Sequence, residues 1–463
     1  MTEKTQNNRH PASFRDPSGF LFNRDGRLYR QINQSYSADY ERLMDSGLYA
    51  ALAARGDLLP YEERQVAPAS SEIAYKVIEP ELLEFISYPY EWSFSEWKDA
   101  ALTTLRVHRT AIEHGMVLKD ASAFNIQFHR GRPVWIDTLS FELLKEGEPW
   151  IAYRQFCQHF LAPLALMALV DIELGKLMRT HIDGVPLTLA SRLLPRSTWL
   201  RFTLLIHIHW HASAQRRYAG ADTSERRRKR SMNVNSLLGL VDNLEGAIRR
   251  LEWKPQSPWA DYEQTHAYSD ADWQAKRRLV DEFLSQKGPS SVWDLGANVG
   301  TFSRLASERG IPTIAFDFDP GAVELNYLRS RDEADAHLLP LVMDFTNPSP
   351  ALGWGHRERM SLAERSPAGA ILALALVHHL AISNNLPLDR LADYLATICQ
   401  SLLIEFIPKE DPQVQRLLAS REDIFHNYHR QGFESAFETY FTIERSDPIG
   451  DSGRVLYTMD VRV

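Results

Sequence analysis

Residues 291–300 read Ser291-Val-Trp-Asp-Leu-Gly-Ala-Asn-Val-Gly300. The first four form a short apolar run that ends in a carboxylate, the pattern of a buried strand. Gly296 and Gly300 follow at once, and Phe302–Arg309 carries helical spacing. A strand that turns sharply into a helix needs glycine where the backbone bends and where a ligand comes close. The helix that it opens presents unpaired N–H groups to that ligand. These residues predict a strand, a ligand-binding loop and a helix in that order.

Working outward, Pro312–Phe316 reads as a second strand ending in Asp317-Phe-Asp-Pro320. A carboxylate at that tip accepts hydrogen bonds from both hydroxyls of a ribose, and Asp317 follows Asp294 by about 20 residues, the offset of ribose-binding acids in dinucleotide folds. A third strand, Leu338–Met343, ends in Asp344, placed to receive an adenine amino group. Phe345 or Phe318 is placed to stack on the ring. A fourth strand, Ala370–Val377, and a fifth, Leu402–Phe406, continue the alternation with helices. That alternation implies an α/β domain with a mainly parallel sheet. A nicotinamide-binding fold fits less well, because Asn298 stands at the second glycine of the Gly-x-Gly-x-x-Gly fingerprint.

Acidic residues at three successive strand ends resemble the class I S-adenosylmethionine-dependent methyltransferases, over about 260–463. The resemblance implies a Rossmann-like, seven-stranded domain. It also implies Gly296, Ala297, Asn298 and Gly300 along the methionine moiety, Asp317 on ribose, Asp344 near adenine, and Asp294 orienting the loop. The end of the fourth strand faces the transferred methyl in that family. Here it carries His378 and His379, candidate bases because histidine titrates near working pH. They are not read as a metal pair, since neighbours at a helix start diverge, and no metal is expected elsewhere. Glu405 lies inside the apolar fifth strand and needs a partner there. It is expected to bind substrate, to pair with Arg365 or Arg416, or to satisfy backbone donors. Aromatic residues at Trp259, Tyr262, His266 and Tyr268 either close over the cofactor or pack between domains. The runs Met343–Pro350, Leu372–Leu380 and Glu405–Asp411 further resemble NoeA-type nodulation proteins and their bacterial methyltransferase relatives.

Upstream, Leu118-Lys-Asp-Ala-Ser-Ala-Phe-Asn125 has the Asp-x4-Asn spacing of a phosphotransferase loop, and a hairpin then leads to Asp137. In kinases the first Asp positions the acceptor, the Asn binds metal and the later Asp holds magnesium. Asp120, Asn125 and Asp137 resemble that set, over about 15–215. The resemblance implies an α+β, kinase-like domain and, at its furthest, a Mg-ATP site. Neither a Val-Ala-Ile-Lys strand nor a Gly-x-Gly-x-x-Gly loop is present, and Lys76 is the nearest phosphate lysine. A domain that presents substrate or a partner is therefore favoured over phosphoryl transfer. The competing reading is an unrelated domain whose Asp120 caps a turn.

The whole chain sets the outer limits. Its 463 residues are too many for one ordinary core. Expected divisions are a disordered lead (1–15), an α+β domain (16–221), a basic helical linker (222–258) and the methyltransferase-like domain (259–463). Hairpins are expected at 18–32, around Asn23–Gly26, and at 125–136, with helices over 38–55, 94–114 and much of 150–212. Two cysteines fit a reducing cytoplasm. No window offers the ~18 apolar residues of a membrane span. A net charge of −8 disfavours general polyanion binding. The run Arg226-Arg-Arg-Lys-Arg230 leaves a local nucleic-acid contact as the lesser reading. Methyl transfer to a hydroxyl or amine of a small, sugar or carrier-bound acceptor leads. An RNA or protein methyltransferase comes next, and then a kinase-like binding protein with an inactive methyltransferase fold.

Overall fold

Asp25 and Gly26 both take left-handed φ values, 50° and 75°, and turn the chain between β1 (Gly19–Arg24) and β2 (Arg27–Asn33). Such two-residue turns match the right-handed twist of the strands that they join. The computed structural model containing this hairpin describes residues 9–213, 232–255, 269–419 and 421–462. The chain divides into two compact units. Unit 1 comprises Met1–His129, Pro133–Lys254 and Leu352–Arg359; unit 2 comprises Arg130–Arg132, Pro255–Ala351 and Met360–Val463.

In unit 1, α1 (Ser37–Asp45) and α2 (Leu48–Ala54) replace the single helix expected over 38–55, because Gly47 adopts a φ of 76° between them. Strands β3 (Tyr61–Glu63) and β4 (Ala74–Pro80) complete an antiparallel sheet of order β1-β2-β4-β3. Ile32, Tyr36, Tyr40, Ile78 and Leu139 pack into one cluster beneath it. Helix α3 (Phe94–Glu113) starts at Ser93 in a capping box. Ser93 Oγ accepts from the Glu96 N–H, and Glu96 Oε2 accepts from the Ser93 N–H at 2.7 Å. Beyond it come β5 (Met116–Leu118), the hairpin β6 (Ile126–His129) and β7 (Arg132–Trp135), and β8 (Phe141–Leu143), which pairs with β5. Helical segments then dominate as far as His211.

The structure revises two boundaries. Of the lead expected to be disordered, residues 9–15 are held in place. The Arg9 guanidinium lies 3.6 Å from the centre of the Phe20 ring, and Arg15 binds both oxygens of Glu358. Of the expected linker, 232–255 is described, and it holds α4 (Val234–Arg249), whose apolar face packs on α3. Leu237, Val241, Leu244 and Ile248 are buried there, and Lys98 Nζ donates to the carbonyls of Arg249 and Leu251 at the helix end. The basic run 226–230 lies outside the described residues.

Unit 2 opens with α5 (Asp270–Lys287), capped by Ser269 and Asp272. Seven strands follow: β9 (Val292–Leu295), β10 (Thr313–Asp317), β11 (Leu338–Val342), β12 (Ala368–Ala373), β13 (Cys399–Phe406), β14 (Phe441–Pro448) and β15 (Val455–Val461). Their order in the sheet is β11-β10-β9-β12-β13-β15-β14, and β15 alone runs against the others. Every residue of β9 and β12 is buried, as expected for parallel strands covered on both faces. Helices α6 (Ser303–Ser307), α7 (Pro320–Asp332) and α8 (Leu388–Ile398) make the crossovers. Val280, Phe283 and Leu284 of α5 join Val292, Leu372, Leu403 and Leu456 in the core of one face. The fourth strand is shorter than expected and ends at Ala373.

The capping box at Ser93 gives a direct test of this fold. Ser93→Ala is expected to destabilise unit 1 by about 1 kcal/mol, read as a lower urea midpoint. An unchanged midpoint would show that α3 does not depend on its cap.

Candidate functional site

The carboxyl ends of β9, β10 and β12 border a cavity of about 380 Å³. The strand order reverses between β9 and β12, and open α/β sheets bind ligands at such switch points. Of the residues singled out from the sequence, Asp294, Gly296, Ala297, Asn298, Asp317, Phe318, Asp344, Phe345 and His379 line the cavity. Gly300, His378 and Glu405 do not.

The loop after β9 is held in an unusual backbone shape. Gly296 and Gly300 have φ values of 78° and 81°, and Asn298 sits at 52°. A Cβ at Gly300 would come within 2.4 Å of Asn326 Oδ1, so side chains are excluded there for two reasons. Asp317 fixes the shape of Asn298. Its Oδ2 accepts the Asn298 N–H at 2.8 Å, and its Oδ1 accepts the Asp319 N–H at 2.9 Å. Burial pushes the Asp317 carboxyl up to about 6 against those hydrogen bonds. Asp294, also raised to about 6 by burial, accepts from Ser303 Oγ at 2.6 Å and so ties β9 to the start of α6. Arg304 clamps the loop from below, donating to the carbonyls of Val299 and Gly300. Asp344 turns its Oδ1 to the N–H and hydroxyl of Thr346. The Phe345 ring is locked edge-on against Phe316, 5.7 Å between centres, and Phe318 is exposed.

The far wall depends on Glu405. Lys276 of α5 and Arg454 pair with it, at 2.7 Å and 3.5 Å, in place of the expected Arg365 or Arg416. The partner comes from α5 because that helix lies over the sheet face to which Glu405 points. Glu405 Oε2 also accepts the N–H of Ala375, whose φ of 51° is left-handed. Glu405 thus acts on the cavity through its neighbours, and Lys276 reaches the cavity itself. Burial pulls the Lys276 ammonium downward, opposed by Glu405. Arg454 continues the chain of charges to Asp411 at 2.8 Å.

His378 and His379 do not diverge as expected. Their ring centres are 4.1 Å apart, in the π-helical turn that opens after the strand. Both are held below the usual histidine range by burial. His378 is buried with Nδ1 unpartnered among the described residues, while His379 faces the cavity. No metal-binding group of His, Cys, Asp or Glu occurs among the described residues.

The second constellation, in unit 1, also assembles. Asn125 Nδ2 donates to Ser140 Oγ, which donates to Asp137 Oδ2 at 2.5 Å. The Asp137 charge, in turn, helps burial raise the Asp120 carboxyl. But Arg30 of β2 lies 2.6 Å from Asp137 Oδ1. Burial pushes Asp137 upward, yet Arg30, Ser140 and the Leu139 N–H outweigh it and hold the carboxyl below its ordinary range. Asp120 accepts from Gln155 and from the Ser122 N–H. Lys76 pairs with Glu63 instead of reaching this cluster. The Asp137 charge is thus met by a protein cation, and nothing in this cluster supports a Mg-ATP site.

Sequence reasoning missed Lys276, Trp273 and Thr301, all of which line the cavity. Thr301 Oγ1 is buried there without a partner among the described residues, an atom left for a ligand. Lys276 and Trp273 lie one turn apart on α5, and that shared helix face was the available signal. The aromatic candidates at 259–268 lie outside the described residues.

No protein-family model matches the chain. It is 35% identical to the nodulation protein NoeA of Rhizobium meliloti (strain 1021), over 97% of this chain and 95% of the relative. Among solved structures, WbdD aligns at 17% identity and TM-score 0.30, over 46% of each chain. Magnesium protoporphyrin IX methyltransferase (ChlM) from Synechocystis PCC 6803 aligns at 15% and 0.31, over 41% of this chain and 84% of that one. The N-methyltransferase NodS from Bradyrhizobium japonicum WM9 aligns at 11% and 0.31, over 42% and 99%.

Removing Lys276 leaves the buried Glu405 with Arg454 alone, at 3.5 Å, and breaking a buried pair costs up to about 3–5 kcal/mol. Lys276→Met is expected to destabilise unit 2 by that amount, and Lys276→Met/Glu405→Leu to recover most of it. Additive losses in denaturant unfolding would mean that the two side chains are not coupled.

Proposed function

The chain belongs to the family of the nodulation protein NoeA, and with that as premise we propose that it is an S-adenosylmethionine-dependent methyltransferase. The acceptor we assign is a hydroxyl or amine of a small, sugar or carrier-bound molecule. The observation that carries the reading is Asp317, a buried carboxylate at the end of β10 that both shapes the glycine loop and faces the cavity. Beyond the backbone N–H groups of Asn298, Phe318 and Asp319, its oxygens keep acceptor capacity for a ribose hydroxyl.

The remaining walls fit the same cofactor. Asp344 and Phe345 suit an adenine edge and face, and the loop from Gly296 to Val299 lines the cavity where the amino-acid chain would lie. Thr301 Oγ1 and Lys276 suit the carboxylate at the amino-acid end. When bound, S-adenosylmethionine supplies an electrophilic methyl that forms a bond to the acceptor heteroatom as its bond to sulfur breaks, leaving S-adenosylhomocysteine. His379 is the better-placed base. It lines the cavity and is kept neutral by burial, so it can take the acceptor's proton. Much of the rate is expected from positioning the acceptor.

Calorimetry with S-adenosylhomocysteine tests the cofactor assignment. Wild type is expected to bind, and Asp317→Ala to weaken binding at least about tenfold, the loss of one or two hydrogen bonds to a charged group. Equal affinities would sink the ribose assignment. The ionised carboxylate is the form that accepts from the ribose, and Asp317 titrates near 6. Affinity should therefore be level above that pH and fall below it, and Asp317→Asn should flatten the fall.

For the base, His379→Ala is expected to lower methyl incorporation about 100-fold with homocysteine-product affinity kept. Transfer of labelled methyl into cell extract provides the readout. Full incorporation by the variant would leave catalysis to positioning alone.

A further inference from the structure

We propose that Ser191–Trp210 of unit 1 is a docking surface for an anionic lipid bilayer. The sequence is segregated here. Asp183 and Asp222 bracket a stretch without any acidic residue, although the chain carries 60 of them. Within it, Arg192, Arg196 and Arg201 are exposed and alternate with large apolar side chains that are also exposed. Leu200 is 90% exposed, Phe202 66%, Trp210 56%, Trp199 43% and Leu193 41%. Apolar side chains that enter the acyl boundary, ringed by cations that meet the headgroups, are the two signals that together anchor a protein to a membrane surface.

The tips are held outward by a buried polar clamp. His209 is fully buried and lies 2.8 Å from both Ser191 Oγ and Thr198 Oγ1. Thr198 Oγ1 donates to the Pro195 carbonyl, so it accepts from His209 Nε2, and Ser191 then donates to Nδ1. One neutral imidazole thereby ties three segments together: Leu187–Leu193, Arg196–Leu200 and Leu205–Trp210. The Trp199 ring lies flat on that imidazole, 4.5 Å between centres. The apolar tips are thus presented on a fixed frame.

The chemistry favours lipid over the other occupants. Trp199, Phe202 and Trp210 could stack on bases, but Leu200, 90% exposed, and Leu193 gain nothing from a nucleic acid and are buried by an acyl layer. The stretch holds no carboxylate, so the same face of a second copy offers its arginines no opposite charge.

Co-sedimentation of the full chain with vesicles tests this, independently of any methyl transfer. Binding is expected to phosphatidylcholine vesicles containing about one-third phosphatidylglycerol, weaker binding to phosphatidylcholine alone, and release by salt. Arg196→Glu/Arg201→Glu is expected to weaken binding by more than about fivefold for each arginine removed. Leu200→Glu/Phe202→Glu should weaken it by about tenfold or more, with the melting temperature unchanged because both positions are exposed. Wild type that ignores anionic vesicles overturns the proposal, as does undiminished binding by the Leu200/Phe202 variant. So does a single-stranded oligonucleotide that binds where vesicles do not, or a dimer that Leu200→Glu dissolves.

Discussion

Glu405 is fully buried, so the protein must answer its charge, and Lys276 does so from a different element. This one pair joins α5, laid down before the sheet begins, to β13, near its far side. Through the Ala375 N–H it also holds the turn after β12 in a left-handed shape that alanine would not choose alone. The cavity wall at 374–379 therefore takes its form from two residues more than a hundred positions apart. Buried pairs of this kind add little net stability, but a structure that has one can hardly lose half of it.

The two acidic clusters show opposite solutions to the same burial cost. In unit 2, Asp317 is answered by backbone N–H groups, which leave lone pairs and a cavity in front of it. In unit 1, Asp137 is answered by Arg30, a full counter-charge from β2 of the N-terminal sheet. The first arrangement leaves acceptor atoms facing the cavity. The second is closed upon itself. Similar acidic residues thus end in different surroundings, set by backbone donors in one case and by a distant arginine in the other.

Much of unit 2 was legible because its information is local. The glycines at 296 and 300, and the acids at 317 and 344, sit at strand ends that apolar runs announce, and the strands formed where those runs lie. The hairpin at Asp25-Gly26 was legible for the same reason, since turn geometry is set by its two residues. What stayed hidden depends on distance in sequence. Nothing near Glu405 points to Lys276, and nothing near Asp137 points to Arg30. The early end of the fourth strand also escaped, because Leu374–Val377 is as apolar as a strand and only the Glu405 bond to Ala375 turns it away. The helix at 234–249 looked like a connector by its basic neighbours, but its apolar stripe is matched to α3.

The membership of Leu352–Arg359 in unit 1 has a consequence for how the chain comes into being. Glu358 supplies both carboxylate oxygens to Arg15, and the Arg359 guanidinium lies 4.2 Å from the Phe124 ring centre. During synthesis these contacts form only once residues 352–359 have left the ribosome, after β9, β10 and β11 have been made. The last contacts of unit 1 are made by a segment that lies, in sequence, between β11 and β12.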